Sequence, residues 1–312
     1  MKYFNIILVT GLLVGASSCK NSSQDSSNDR NKTEQTQVVD FPAPEIPIML
    51  TNVQDRGAYL SIHFWDKLNP NDTAIINNKE IIEQKWVNYL DILAKFQADE
   101  SPQLIEQLIT RFKSNPTAYL GFNQLADKYL YEADSPFRND PMYVAVLKVR
   151  LQDENITDTE KEQIKYKIDI CSKNNVGSKA ENISFTTSTG KTEQLYKIET
   201  DYTILFFNDL DCNLCANATE ELRNSELITS LEKKGRLKIV TINMDDDFTA
   251  WKKKVSRWPK TWINGYDGNM NIVNNNSYDL RAIPSFYLLD KNKEVVLKDK
   301  PLANIMEILV KL

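Results

Sequence analysis

Residues 202–215 read YTILFFNDLDCNLC, an apolar run followed, after a short polar link, by two cysteines two residues apart. The run at 202–207 is nearly continuous in apolar residues, which is typical of a strand buried on both faces of a sheet. Cys212 and Cys215 then open a helical stretch. The pair has three candidate roles at this point: redox chemistry, a metal site or a static disulfide.

The C-terminal half has the alternating strand and helix patterns of an α/β domain. Residues 182–187 and the stretch that follows them predict a hairpin, and LKIVTINM (237–244) predicts a second buried strand after a helical stretch. Strand, helix, strand favours a parallel crossover. The segments SFYLLD (285–290) and EVVLKD (294–299) predict a closing antiparallel hairpin, with a final helix after it.

Residues 41–176 have the start signals and apolar spacing of helices instead. Three capping residues are each followed directly by proline: Ser101, Asn115 and Asp140. This arrangement suits the N-cap and the first helical position. Apolar residues recur at helical spacing, which predicts an all-helical domain of five or six helices, the last near 158–173.

Two single residues of this half are candidates for chemistry. Cys171 lies on the apolar face of the last helix, and we expect a buried, unreactive thiol, with a third redox cysteine as the alternative. His63 is the only histidine, and we expect a packed or surface structural residue. One histidine gives a histidine metal site or a Ser/His/Asp triad little to build on, so we expect no metal and no cofactor.

Residues 1–18 are predicted to be an export signal. Lys2 supplies a positive start, the apolar run 6–14 is too short to span a bilayer, and small residues precede Cys19. Small residues before a cysteine resemble the lipobox of bacterial lipoproteins, which implies that Cys19 carries a lipid. The alternative is a plain secretory signal. Residues 19–40 are polar, and we expect the lipidated cysteine to be followed by a flexible tether.

Export and charge limit the partners. The predicted location is the cell envelope, lipid-anchored and facing the periplasm, where disulfides persist. The chain has 38 basic and 43 acidic residues, a net charge of −5, so we expect no nucleic-acid partner. The expected partners are the membrane, through the lipid on Cys19, and exported proteins.

Three features together resemble the thioredoxin fold, in particular the exported TlpA-like thiol-disulfide oxidoreductases: the strand YTILFF, the pair CNLC at a helix start, and the proline in RAIPSFYLLD (281–290). The resemblance covers residues 177–312. The stretches YLSIHFWD (59–66) and YEADSPFRNDPMY (131–143) resemble the helical domain of unknown function that precedes a thioredoxin-like domain in Gram-negative envelope lipoproteins. The predicted fold is therefore an α/β thioredoxin-like domain, a mixed sheet flanked by helices, after an all-α domain.

The spacing of the pair indicates distinct roles for its members. Only a thiolate attacks a disulfide. A free cysteine has a pKa of about 8.5, so only a small fraction of it is thiolate at neutral pH. If Asp211 is the N-cap, the free N–H groups of the first turn favour the Cys212 anion, while Cys215 lies one turn deeper. Cys212 would attack the substrate disulfide, and Cys215 would resolve the mixed disulfide that forms. The resemblance implies a cis bond before Pro284 and a substrate strand bound by the backbone of Ile283.

The sequence also departs from the family. Asp209 and Asp211 precede the pair, and carboxylates oppose the ionisation of a nearby thiol. The positions six residues before and after Cys212, where the family often has a proton-accepting carboxylate, hold Phe206 and Ala218.

These residues predict an envelope thiol-disulfide oxidoreductase that exchanges disulfides with exported proteins. The reductase direction is favoured by family analogy, and it requires a membrane or periplasmic electron donor. The alternative is a non-catalytic binding or scaffolding lipoprotein in which the pair forms a structural disulfide. A zinc ribbon is disfavoured because it needs a second pair of ligands, which the chain does not offer.

Overall fold

Helices occupy the first part of the described chain, residues 53–172, and a sheet forms within residues 184–298, as the apolar spacing predicts. The computed structural model describes residues 40–312. The predictions for residues 1–18, for lipidation of Cys19 and for most of the tether lie outside the described residues. Among the helices of residues 40–312, none combines the length and apolar character that crossing a membrane requires.

The described N-terminal region contains seven α-helices and one π-helical turn. They are α1 (Val53–His63), α2 (Thr73–Ile76), α3 (Lys79–Phe96), α4 (Ser101–Phe112), α5 (Pro116–Ala126), the π turn (Asp127–Tyr131), α6 (Asp140–Leu151) and α7 (Asp158–Ser172). The predicted number of five or six omits α2, which has four residues and is too short for a periodic pattern.

The helix starts differ from the prediction at two of the three prolines. Asn115 caps α5 as predicted. Helix α4 begins at Ser101 itself, one residue earlier than predicted. Helix α6 is capped by Asn139, so Asp140 is its first helical residue rather than its cap. The Asp140 carboxylate is thereby left free for other partners.

Aromatic side chains fill the core of the helical region. Phe122 is stacked on Phe112 at 4.5 Å between ring centroids and meets the edge of Trp65 at 5.2 Å. Trp86 is fully buried beside them. Such rings bury large apolar areas, and their contacts fix helices α3, α4 and α5 against one another.

A seven-stranded mixed sheet forms the second part, in the order β2-β1-β5-β4-β3-β6-β7. Its strands are β1 (Ser184–Thr187), β2 (Thr192–Gln194), β3 (Tyr202–Asn208), β4 (Leu237–Asn243), β5 (Ile263–Tyr266), β6 (Ser285–Asp290) and β7 (Val295–Lys298). Its helices are α8 (Asn213–Asn224), α9 (Glu226–Lys233), α10 (Phe248–Val255), α11 (Asn271–Asn274) and α12 (Leu302–Leu309).

Strand β3 is at the centre of this sheet. It pairs parallel with β4, where Leu205 faces Val240, and antiparallel with β6, where Leu205 faces Tyr287. Side chains of β3 alternate between two cores: Phe206 packs beneath helices α8, α9 and α12, and Phe207 packs on the other face. The parallel crossover, both hairpins and a mixed sheet flanked by helices are confirmed.

Strand β5 was not predicted. Its sequence INGY is short, carries Asn and Gly and lacks an apolar run. Gly265 is required there because a Cβ atom would overlap the side chains of Phe185 and Ile242. A glycine at such a close approach weakens the sequence pattern of the strand it belongs to.

Candidate active site

Cys212 and Cys215 form a disulfide, with 5.2 Å between their Cα atoms. Cys212 is itself the N-cap of α8, one residue later than the cap predicted at Asp211. Its Sγ atom accepts a hydrogen bond from the Cys215 backbone N–H across 3.0 Å. The sulfur therefore lies at the unpaired N–H groups of the first turn, the environment that stabilises a thiolate once the bond is reduced.

The two sulfurs differ in access to solvent. Cys212 is partly exposed, whereas Cys215 is 2% exposed and packs among Ala218 and Leu222. Leu214, between them, is 66% exposed. Of the pair, only Cys212 is accessible to another polypeptide.

The proline loop, residues 279–284, lies beside the pair. The Ile283–Pro284 peptide bond is cis, which confirms that prediction. The Ile283 carbonyl oxygen is 3.8 Å from Cys212 Sγ. The structure thus brings the four predicted residues Cys212, Cys215, Ile283 and Pro284 together.

Polar side chains form hydrogen bonds with the segment that joins β3 to the cysteine pair, residues 209–211. Asp245 accepts from the Leu210 backbone N–H and from Asn243 Nδ2, and Lys254 donates to the Leu210 carbonyl. Burial raises the pKa of the Asp209 carboxyl, and the nearby Asp245 raises it further, against the effect of Lys254. This segment is therefore fixed at both the N–H and the carbonyl group of Leu210.

The two positions where the family has a carboxylate are apolar in the structure as well. Phe206 is fully buried and is stacked on Phe286 at 4.5 Å. Ala218 is buried in the same core. Neither side chain can accept a proton, and Glu220 and Glu221 on the same helix point to solvent.

Cys171 and His63 are not part of this site. Cys171 is fully buried, and burial raises the pKa of its thiol to about 12, with a further rise from Asp140. His63 is at the surface and hydrogen-bonds Asp66 at 2.7 Å. Within residues 40–312, no cluster of His, Cys, Asp and Glu has the geometry of a metal site.

Sequence reasoning missed a buried ionic cluster beside the proline loop. Arg281, in the loop, pairs with Asp140 of α6 at 2.9 Å, and Lys298 of β7 pairs with the same carboxylate at 2.6 Å. The sequence predicts a capping role for Asp140, which Asn139 takes instead. Arg281 and Asp140 are 141 residues apart, and nothing in a single sequence links positions so distant.

Two protein families match the sequence. A family described as "Domain of unknown function (DUF5106)" matches residues 18–174, and one described as "Thioredoxin-like" matches residues 200–295. Comparison with curated proteins finds no match.

One solved structure resembles the chain over most of its length, and others resemble its C-terminal part. A thioredoxin-like protein from Bacteroides caccae is 36% identical, with a TM-score of 0.81, over 87% of this chain and 98% of that one. The C-terminal domain of an uncharacterized Bacteroides fragilis protein is 42% identical (TM-score 0.42) over 44% of this chain and 98% of that one. The thioredoxin domain of a thiol-disulfide oxidoreductase from Bacteroides vulgatus is 23% identical (TM-score 0.38) over 44% of this chain and 98% of that one.

Proposed function

Because the chain belongs to the thioredoxin-like proteins that carry an N-terminal DUF5106 domain, we propose that it is an envelope thiol-disulfide oxidoreductase acting on exported proteins. One observation carries the proposal: a cysteine pair at the start of α8 has one sulfur accessible and one shielded, beside the Ile283 carbonyl. A purely structural disulfide needs no such difference in access.

In the reductase direction, the reaction starts from the reduced pair. The Cys212 thiolate attacks one sulfur of a substrate disulfide, a mixed disulfide forms, and the other substrate sulfur leaves as a thiolate that takes a proton from water. Cys215 then loses its proton and attacks Cys212 Sγ, which releases the second substrate thiolate. The substrate gains two electrons and two protons, and the pair becomes the disulfide seen here.

Reducing the Cys212–Cys215 disulfide back to two thiols requires an electron donor. A dithiol protein of the membrane or periplasm would transfer its electrons through the same mixed disulfide, in the reverse order of bonds. The lipid on Cys19 would keep the domain near such a donor at the periplasmic face of the membrane. Replacing Cys19 by serine is expected to move the protein from the membrane fraction to the soluble fraction.

A trapping experiment tests the activity. With Cys215→Ser, the mixed disulfide cannot be resolved, so a labelled peptide disulfide should remain bound to Cys212 until a reductant is added. Cys212→Ser is the matched control and should form no adduct, because it removes the accessible sulfur of the pair. No adduct with Cys215→Ser, together with no peptide reduction by the wild type above the rate of dithiothreitol alone, would overturn the proposal.

One observation favours the non-catalytic alternative, a binding or scaffolding lipoprotein with a static disulfide. Phe206 and Ala218 leave Cys215 without the proton acceptor that the family often places there. In that case the Cys212–Cys215 bond would resist dithiol reductants under native conditions and would be reduced only after unfolding. The trapping experiment separates the two functions.

A further inference from the structure

The helical region contacts the proline loop through Arg281. The loop has no regular secondary structure, and Arg281 lies at its centre with 8% of its side chain exposed. Its guanidinium donates to the Tyr131 carbonyl across 2.8 Å and to Asp140 Oδ1 across 2.9 Å. The loop beside the cysteine pair is therefore attached to the π turn and to α6.

The other surfaces of the same guanidinium also have partners. It lies 3.9 Å from the centroid of the Tyr131 ring, Nη2 is 3.1 Å from Cys171 Sγ, and Nε donates to Asp279 across 2.7 Å. A planar group with a ring on one face and acceptors around its edge has a single orientation. Arg281 thus fixes the loop rather than only neutralising a charge.

Asp140 is the anion on which this arrangement depends. Its side chain is 4% exposed and also accepts from Lys298, which extends from β7. Burial raises the pKa of Asp140, but Lys298 and Arg281 outweigh it and hold the pKa below its usual range. The carboxylate is therefore charged at neutral pH, and two cations of the sheet domain converge on one anion of the helical region.

A second ion pair holds the other side of the cis bond. Arg138, just before α6, pairs with Asp299, and Asp299 Oδ1 accepts from Ser285 Oγ across 2.8 Å. Ser285 directly follows Pro284. The helical region thus fixes the chain two residues before Ile283 and one residue after Pro284.

We propose that the helical domain positions the proline loop opposite Cys212, with Asp140 and Arg281 as positioning residues. This inference rests on the proposed function, and it assigns a task to the domain of unknown function. A substrate strand must reach Cys212 Sγ beside the Ile283 carbonyl, which is 3.8 Å away. A misplacement of about 1 Å lowers the rate of a reaction that depends on such alignment by as much as about a hundredfold.

The test compares Asp140→Asn and Arg281→Lys with a matched control in the full chain. The control is Asp201→Asn, because Asp201 also pairs with an arginine, Arg236, at 3.1 Å, and directly precedes β3, at the end of that strand opposite the cysteine pair. Two rates are measured for each reduced variant, with a peptide disulfide and with a small aromatic disulfide that needs no docked strand.

Asp140→Asn should lower the peptide rate at least about tenfold and leave the small-disulfide rate unchanged, since only the peptide depends on alignment with the loop. Arg281→Lys keeps the charge but loses the forked geometry, so its peptide rate should be intermediate. Asp201→Asn should behave as the wild type. A peptide rate unchanged in both test variants, or lowered equally in the control, would overturn the positioning role.

A second readout does not depend on exchange activity. Amide hydrogen exchange across residues 279–286 of the oxidised protein should be faster in Asp140→Asn and Arg281→Lys, and unchanged in Asp201→Asn. If the wild type reduces no disulfide, the proposed function fails, and hydrogen exchange alone decides the positioning role. If Asp140→Asn does not fold, Arg281→Lys carries both measurements.

Discussion

Asp140 Oδ2 and Lys298 Nζ are 2.6 Å apart, and each side chain is less than one-tenth exposed. A buried carboxylate is stable only when its charge is compensated, and here Arg281 and Lys298 compensate it together. This small group of charges joins α6 to β7 and to the proline loop. Its contribution to stability should therefore depend on pH.

We expect Asp140→Asn to lower the free energy of unfolding at pH 7 by about 3 kcal/mol, because it leaves two buried cations short of an anion. The folded pKa of Asp140 is lowered, below an unfolded value of about 3.9. The stabilisation is therefore complete above about pH 3.9 and is lost as the pH falls through the lower, folded pKa.

Urea unfolding of both proteins at several pH values checks this expectation. The difference between wild type and Asp140→Asn should be constant from about pH 5 to 8 and should shrink below about pH 3.9. A difference of the same size at pH 7 and at pH 2.5 would contradict the assignment. Asp201→Asn, at a more exposed pair, should show a smaller difference throughout.

The three cysteines of the described chain should be alkylated in a fixed order after mild reduction. Cys212 is partly exposed at the N-terminus of α8, Cys215 is shielded, and burial raises the pKa of the Cys171 thiol to about 12. Substoichiometric iodoacetamide should label Cys212 first, and Cys171 only after unfolding. Peptide mass spectrometry reads the order, and early labelling of Cys215 or Cys171 would contradict it.

Much of the fold follows from local sequence patterns. The nearly continuous apolar runs predict strands β3 and β4, the hairpin pattern predicts β6 and β7, and the resemblance implies the cis bond before Pro284. What the sequence could not show depends on contacts between distant residues. Strand β5 is formed by its neighbours rather than by its own sequence, and the Arg281–Asp140 pair exists only once the two parts of the chain have packed.

Two helical glycines should respond in opposite directions to alanine. Gly57 of α1 lies against the Phe96 ring, and a Cβ atom there would overlap the ring, whereas Gly121 of α5 has open space around that position. We expect Gly57→Ala to destabilise the protein by about 1–3 kcal/mol through overpacking. Gly121→Ala should stabilise it by up to about 1 kcal/mol through helix propensity. Thermal unfolding midpoints check both, and shifts of the same sign would contradict the packing of α1.

Leu214 should influence substrate exchange and not stability. It is 66% exposed between the two cysteines, so Leu214→Ser removes no core contact and should change the free energy of unfolding by less than about 0.5 kcal/mol. We expect a substrate strand bound at Cys212 to cover part of this side chain, and full burial of a leucine contributes about 1.5–3 kcal/mol. We therefore expect the exchange rate with an apolar peptide disulfide to fall by up to about tenfold, since the burial is partial.

The matched control is Asn213→Ser, at the exposed polar neighbour of Leu214 on α8. It should leave the peptide rate unchanged, because no apolar contact is lost there. For both variants, a small aromatic disulfide should react at the wild-type rate, since it does not extend over residue 214. If Leu214→Ser slows both disulfides equally, the leucine acts on the reactivity of Cys212 itself, and a substrate-contact role for its side chain is excluded.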